Sequence, residues 1–298
     1  MTVPATAGST GATGSTGTAV ADAAGPAGAS AVPQPGECSL PVQLGRVLRA
    51  EWVKLRSVRS TLASLAATAG VCIAFAVLMS YGVVSRWDRM RPAQRADFHA
   101  ATNSVSGVLF GQLVIGALGV LAIGAEYSTG TIRASICATP QRLVMYAGKI
   151  VVFMVTAFVV ALAATGTAFL LAQAILRPAH HSVGLGDAGV PRIVIGAALF
   201  LVAVALLGLG LGTLLRHTAG AISTVFGLML VLPLLARFLP EDWQSALNKW
   251  LPLNAGMTIM QTQPEPNAFG PWTGLAVLYG YAVVALAAGA VVLHRRDA

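Results

Sequence analysis

The sequence predicts an all-α membrane protein with six transmembrane helices. Composition is the first observation: 56% of the 298 residues are hydrophobic and 10% are charged, whereas a soluble domain of this size carries about 25% charged residues. A larger core does not explain the deficit, because its surface would still need polar cover. The second is segmentation. The apolar residues gather near 61–84, 104–125, 150–176, 193–215, 219–239 and 272–293, each stretch at least 21 residues long. A helix needs about 20 residues to cross the hydrocarbon. The third is the charge gap. No Asp, Glu or Lys falls inside these stretches, though Lys149 borders the third and Arg237 lies near the end of the fifth. Each such charge at mid-membrane costs about 3 kcal/mol.

Residues 1–40 are almost wholly Ala, Gly, Ser, Thr and Pro, with Asp22 and Glu37 the only charges. They hold too little apolar bulk to offset ordering entropy, so a disordered tail is expected. No basic start leads into an apolar run, so the tail does not read as a secretory signal.

Residues 41–58 follow as an interfacial amphipathic helix. Leu44, Val47, Leu48, Trp52 and Leu55 share one side, and Arg46, Arg49 and Arg56 the other. Trp52 and Arg56 suit anchors at the membrane–water boundary. Glu51 interrupts the apolar stripe; it either snorkels to the headgroups or reaches a basic partner. The transmembrane domain occupies 59–298. Only Arg216, His217 and Thr218 separate its fourth and fifth spans, which demands a tight hairpin. Between spans five and six, Trp243, Leu247, Trp250 and Leu251 line up as a short outer amphipathic or re-entrant helix. It starts near Pro240 and ends at Pro252, with Trp243 and Trp250 as interfacial anchors. Gly107 and Gly111, and likewise Gly208 and Gly212, are four apart, a spacing that lets helices approach closely within the chain or across a dimer.

Eleven basic residues lie on the inner side and eight on the outer side if both termini are cytoplasmic. Arg46, Arg49, Lys54, Arg56 and Arg59 precede the first span and favour that orientation. The arginines at 86, 89, 91 and 95 in the first outer loop pull the other way.

Several chemistries are excluded. The net charge of +8 comes from residues flanking the spans, where they meet anionic headgroups. No basic patch with interleaved aromatics exists for nucleic acid. The one Gly-Lys pair, Gly148-Lys149, is followed by Ile150 and has Leu143 where a phosphate loop needs Gly. This chain therefore cannot cradle ATP in that way. It also lacks a metalloprotease helix and a nucleophile elbow, so neither enzyme activity nor a cofactor is expected. Cys38, Cys72 and Cys137 have no metal or disulfide spacing. His180, His181 and Asp187 make only a weak metal set. The polar residues within the spans are uncharged, among them Gln112, Thr165, Thr167 and Gln173. They suit helix–helix hydrogen bonds, and the missing acidic relay weighs against an ion-driven carrier.

The run Glu126-Tyr127-Ser128-Thr129-Gly130-Thr131-Ile132-Arg133 follows the second span. There Glu126 ends a helix, Gly130 permits a turn, a short helix runs to Thr139, and Pro140 resets the chain. With Glu51-Trp-Val-Lys54-Leu55-Arg56, Gly208-Leu-Gly-Leu-Gly212 and Leu251-Pro252-Leu253-Asn254-Ala255-Gly256, this run resembles permease subunits of ABC-2-type exporters, particularly those of actinobacteria. The resemblance covers residues 44–296. It implies a plasma-membrane half-transporter that pairs with a second permease copy and borrows a separate ATPase subunit. It also implies that Glu126, Tyr127, Thr129 and Arg133 meet that ATPase, with Glu51 joining the same surface. The competing readings are a non-transporting membrane anchor or immunity protein and a stand-alone carrier.

Overall fold

A computed structural model describes residues 40–128, 142–263 and 267–295. The expected tail therefore lies outside the described residues, except Leu40.

Helix α1 (Leu40–Ser57) breaks at Val58, whose backbone is extended, and α2 (Arg59–Arg86) is the first span. A 3-10 turn (Trp87–Arg89) and α3 (Pro92–Ala96) lead to α4 (Ala100–Ser104) and α5 (Val108–Ser128), which together form the second span. The third span is α6 (Arg142–Leu176) and the fourth α7 (Val190–Leu215). α8 (Thr218–Phe226), a π-helical turn (Gly227–Val231) and α9 (Leu232–Ala236) make the fifth. α10 (Glu241–Asn248) and α11 (Pro252–Met257) precede the sixth span, α12 (Pro271–Arg295). Among the described residues, six segments are long and apolar enough to cross a membrane.

Three details depart from the sequence-based expectation. The third span begins at Arg142 rather than near 150, because hydropathy marks only the oily part of a helix. At 35 residues this helix is roughly 50 Å long, well beyond the hydrocarbon. The fifth span is not a uniform helix. Pro233 has no N–H to give to the ladder, and just before it the Leu232 N–H reaches back five residues to the Gly227 carbonyl. Pro252 does not end a helix but opens α11 at its first position, where its missing N–H costs nothing.

The fourth span is the centre of the bundle. In its most apolar stretch 89% of residues are buried, against 22–56% in the other spans. α7 packs on α5, α6, α8 and α12, while α2 closes against α5 and α6. Glycines set the spacing. A Cβ on Gly208 would collide with the Gly116 carbonyl, one on Gly119 with the Ala205 carbonyl, and one on Gly210 with the Ala285 backbone. Lipid tails are as apolar as Leu, so such close contact supplies dispersion energy that hydrophobicity alone cannot.

Polar side chains stitch the spans together. Gln173 on α6 donates to Ser104 Oγ at 2.8 Å and accepts from the Val183 N–H at 2.8 Å. Asn103 donates to Ser80 Oγ at 3.1 Å, and Tyr279 to the Leu199 carbonyl at 3.1 Å. At the hairpin between spans four and five, Arg216 adopts a left-handed conformation (φ 52°). His217 Nδ1 then caps α8 by accepting the Gly220 N–H at 3.0 Å.

Candidate functional site

α1 rests on the first turns of α6. Gly148 has no side chain, and Val47 and Leu48 occupy the room beside it. One turn along α1 from Val47 stands Glu51, 4% exposed, and one residue along α6 from Gly148 stands Lys149, 7% exposed. Lys149 Nζ donates to Glu51 Oε2 at 2.8 Å, and Lys54 Nζ donates to Oε1 at 2.9 Å. Of the two ways open to Glu51, the structure shows the basic partner. Lys149 sits seven residues inside α6, not at the border of a span.

Burial pushes the Glu51 carboxyl toward its neutral form. The charges and hydrogen bonds of Lys149, and then of Lys54, outweigh this and hold its pKa below the ordinary value of 4.5. Glu51 thus meets Lys149 as a carboxylate, and both side chains are withdrawn from solvent. The contact ties the two helices together, since removing one side of a buried ion pair is expensive. The arrangement contains no nucleophile beside a base. It is a mechanical joint, fastening α1 to α6 about 10 Å along the axis from the start of α6.

The other residues singled out from sequence are dispersed. Thr129 and Arg133 lie outside the described residues, and of Glu126 and Tyr127 only the helical backbone, in the last turns of α5, is described. Trp52 (49% exposed) and Arg56 face away from the packed interior of the chain, as do Trp243 and Trp250. Trp250 nonetheless meets Phe269 edge-on, with ring centroids 4.9 Å apart. The four glycines all face neighbours within the chain: Gly107 and Gly111 meet Cys72 on α2, Gly208 meets Gly116, and Gly212 meets Val120 and Ile123. His181 stacks on Trp87 while Asp187 accepts the Gly184 N–H. No group of His, Cys, Asp and Glu suited to a metal occurs among the described residues.

Over residues 47–233 the chain matches a family described as ABC-2 family transporter protein. The chain belongs to the ABC-2 transporter family. No curated protein matches it. The matched stretch runs from Val47 on α1 to Pro233 on α9, so the joint between α1 and α6 and the central fourth span both lie within the ABC-2 permease region. The sixth span lies beyond the match. Lys149 is the residue of the joint least conspicuous in the sequence. Its signal was an ammonium at the edge of an apolar run, and a carboxylate inside the apolar stripe of α1 was its counterpart.

Proposed function

We propose that this ABC-2 permease is the membrane subunit of an ABC exporter, driven by a separate ATPase that docks on the 129–141 connection. Both termini then face the cytoplasm, and a second permease copy completes the translocation path. The observation that carries this reading is the family match over residues 47–233, and its mechanical link is the buried Glu51–Lys149 ion pair. It joins α1 to α6 two turns past the docking connection, so a push delivered there moves the interfacial helix and the third span as one body. Rocking of such bodies is how a bundle alternates access, provided nucleotide and cargo each favour one of the two states. Glu51 is turned into the joint and acts as a positioning residue; Glu126, Tyr127, Thr129 and Arg133 make the ATPase contact.

The test is co-purification of the tagged permease with the ATPase encoded beside its gene, together with ATP hydrolysis by the captured complex. Glu126→Ala and Arg133→Ala should each reduce capture. Glu51→Gln should leave capture intact and lower the stimulation of hydrolysis by the permease. Undiminished capture in both docking variants removes the contact assignment, and failure of the unaltered chain to capture any ATPase returns the anchor reading.

A further inference from the structure

At the end of the bundle away from α1, the turn after α2, the loop after α6 and the first turn of α7 line an open cavity of about 460 Å³. That volume falls in the range of small-ligand sites. The arginine-rich stretch 86–95, which the transport reading leaves without a role, contributes to its wall. Arg86, Arg89 and Arg91 are exposed, but Arg95 borders the cavity. Its guanidinium lies 5.7 Å from the centroid of the Trp87 ring, and its Nε is buried without a hydrogen-bond acceptor. Arg192, from the first turn of α7, also lines the cavity and is held there by donating to the Gln261 carbonyl at 2.9 Å.

The aromatic part of the wall is equally ordered. Trp87 packs edge-on against Phe98, with centroids 5.5 Å apart, while the His181 ring lies tilted over it at 3.7 Å. A cationic ligand is disfavoured, because Arg95 and His181 already lie against the Trp87 ring. The one carboxylate in the wall, Asp187, accepts the Gly184 N–H at 2.8 Å, so the two guanidiniums outnumber it. The N-terminus of the 26-residue α7 opens at the same cavity and adds its positive dipole end.

We propose that this cavity binds an organic oxyanion. The phosphate or carboxylate is held by the guanidiniums of Arg95 and Arg192, and the carbon body of the ligand lies against Trp87 and Phe98. Arginine suits this role because its planar fork matches two oxygens at once. The oxyanion can come from a lipid headgroup or from a free anion, and the experiment separates these sources.

The full chain in dodecyl maltoside is titrated with dioctanoyl phosphatidylglycerol, inorganic phosphate and dioctanoyl phosphatidylcholine while tryptophan fluorescence is followed. Saturable binding of the phosphatidylglycerol and not the phosphatidylcholine identifies a headgroup site, and saturation by inorganic phosphate identifies a free-anion site. In either case Arg95→Gln and Arg192→Gln should each raise the half-saturating concentration about tenfold, as loss of one charge-assisted hydrogen bond does. Arg237→Gln, in the separate cavity between α9 and the turn after α11, should leave it unchanged. Arg95→Gln is the cleaner variant, because the Nε it removes has no partner in the fold. The proposal is overturned by equal binding of the two lipids, by the absence of saturation with both phosphatidylglycerol and phosphate, or by undiminished binding in Arg95→Gln.

Discussion

Replacing Glu51 by Ala withdraws the carboxylate that both Lys149 and Lys54 address, and the structure shows which loss dominates. The side chains of Glu51 and Lys149 are 5% and 8% exposed, whereas that of Lys54 is 43% exposed. A contact to a half-exposed side chain such as Lys54 contributes about 0.5 kcal/mol, and Lys54→Ala should cost less than Glu51→Ala. Breaking a desolvated pair by removing one partner costs about 3–5 kcal/mol. Glu51→Ala should therefore cost about 3 kcal/mol. Lys149→Ala should cost less, because Lys54 still faces the carboxylate. The decisive variant combines Glu51→Leu with Lys149→Met. It removes both charges and refills the space with apolar atoms, so it should fall within about 1 kcal/mol of the unaltered chain. The assay is unfolding of the full chain in detergent, followed by tryptophan fluorescence and compared across all four variants. A double variant as unstable as Glu51→Ala and Lys149→Ala added together would show that the charges do not depend on one another, and the joint would lose its basis. A Glu51→Ala variant indistinguishable from the unaltered chain would have the same consequence.

Two further outcomes follow from the same geometry. The Glu51 pKa is lowered on folding, so its contribution is complete above the ordinary carboxyl value of 4.5 and is lost as pH falls through the lower folded value; melting of the unaltered chain should show this acid limb below about pH 4.5, and Glu51→Gln should shrink it. Gly111→Ala drives a Cβ into Cys72 Sγ and should cost about 1–3 kcal/mol, yet adding Cys72→Ala leaves the nearest neighbours, the Thr68 carbonyl and the Cys72 Cβ, at 3.7 and 3.9 Å and should restore the melting midpoint. Gly107→Ala meets the Cys72 backbone instead, and the same second change should not rescue it.

The spans were legible because oiliness is a property of consecutive residues. Their edges were less so, since α6 continues past its apolar portion to Arg142, where hydropathy has no more to say. The π-helical turn in the fifth span had its cause in view at Pro233, but hydropathy averages over a window and passed across it. Around Pro252 the reading failed for a related reason: proline both ends helices and begins them, and only the backbone on either side decides between the two. At the candidate site each half of the joint was visible and the joint was not, because Glu51 and Lys149 are 98 residues apart and nothing local links them.

By itself, then, the sequence determined which stretches enter hydrocarbon and that no phosphate loop for ATP is encoded, because transfer free energies and short motifs are sums over neighbouring residues. Only the tertiary structure decided that the fourth span is enclosed, that its glycines meet the backbones of α5 and α12, and that a lone carboxylate on α1 closes on an ammonium of α6. To an apolar side chain, lipid and protein are nearly the same solvent, so hydropathy cannot say which face meets which. That choice belongs to close packing and to buried charges, whose energies exist only once distant segments have come together.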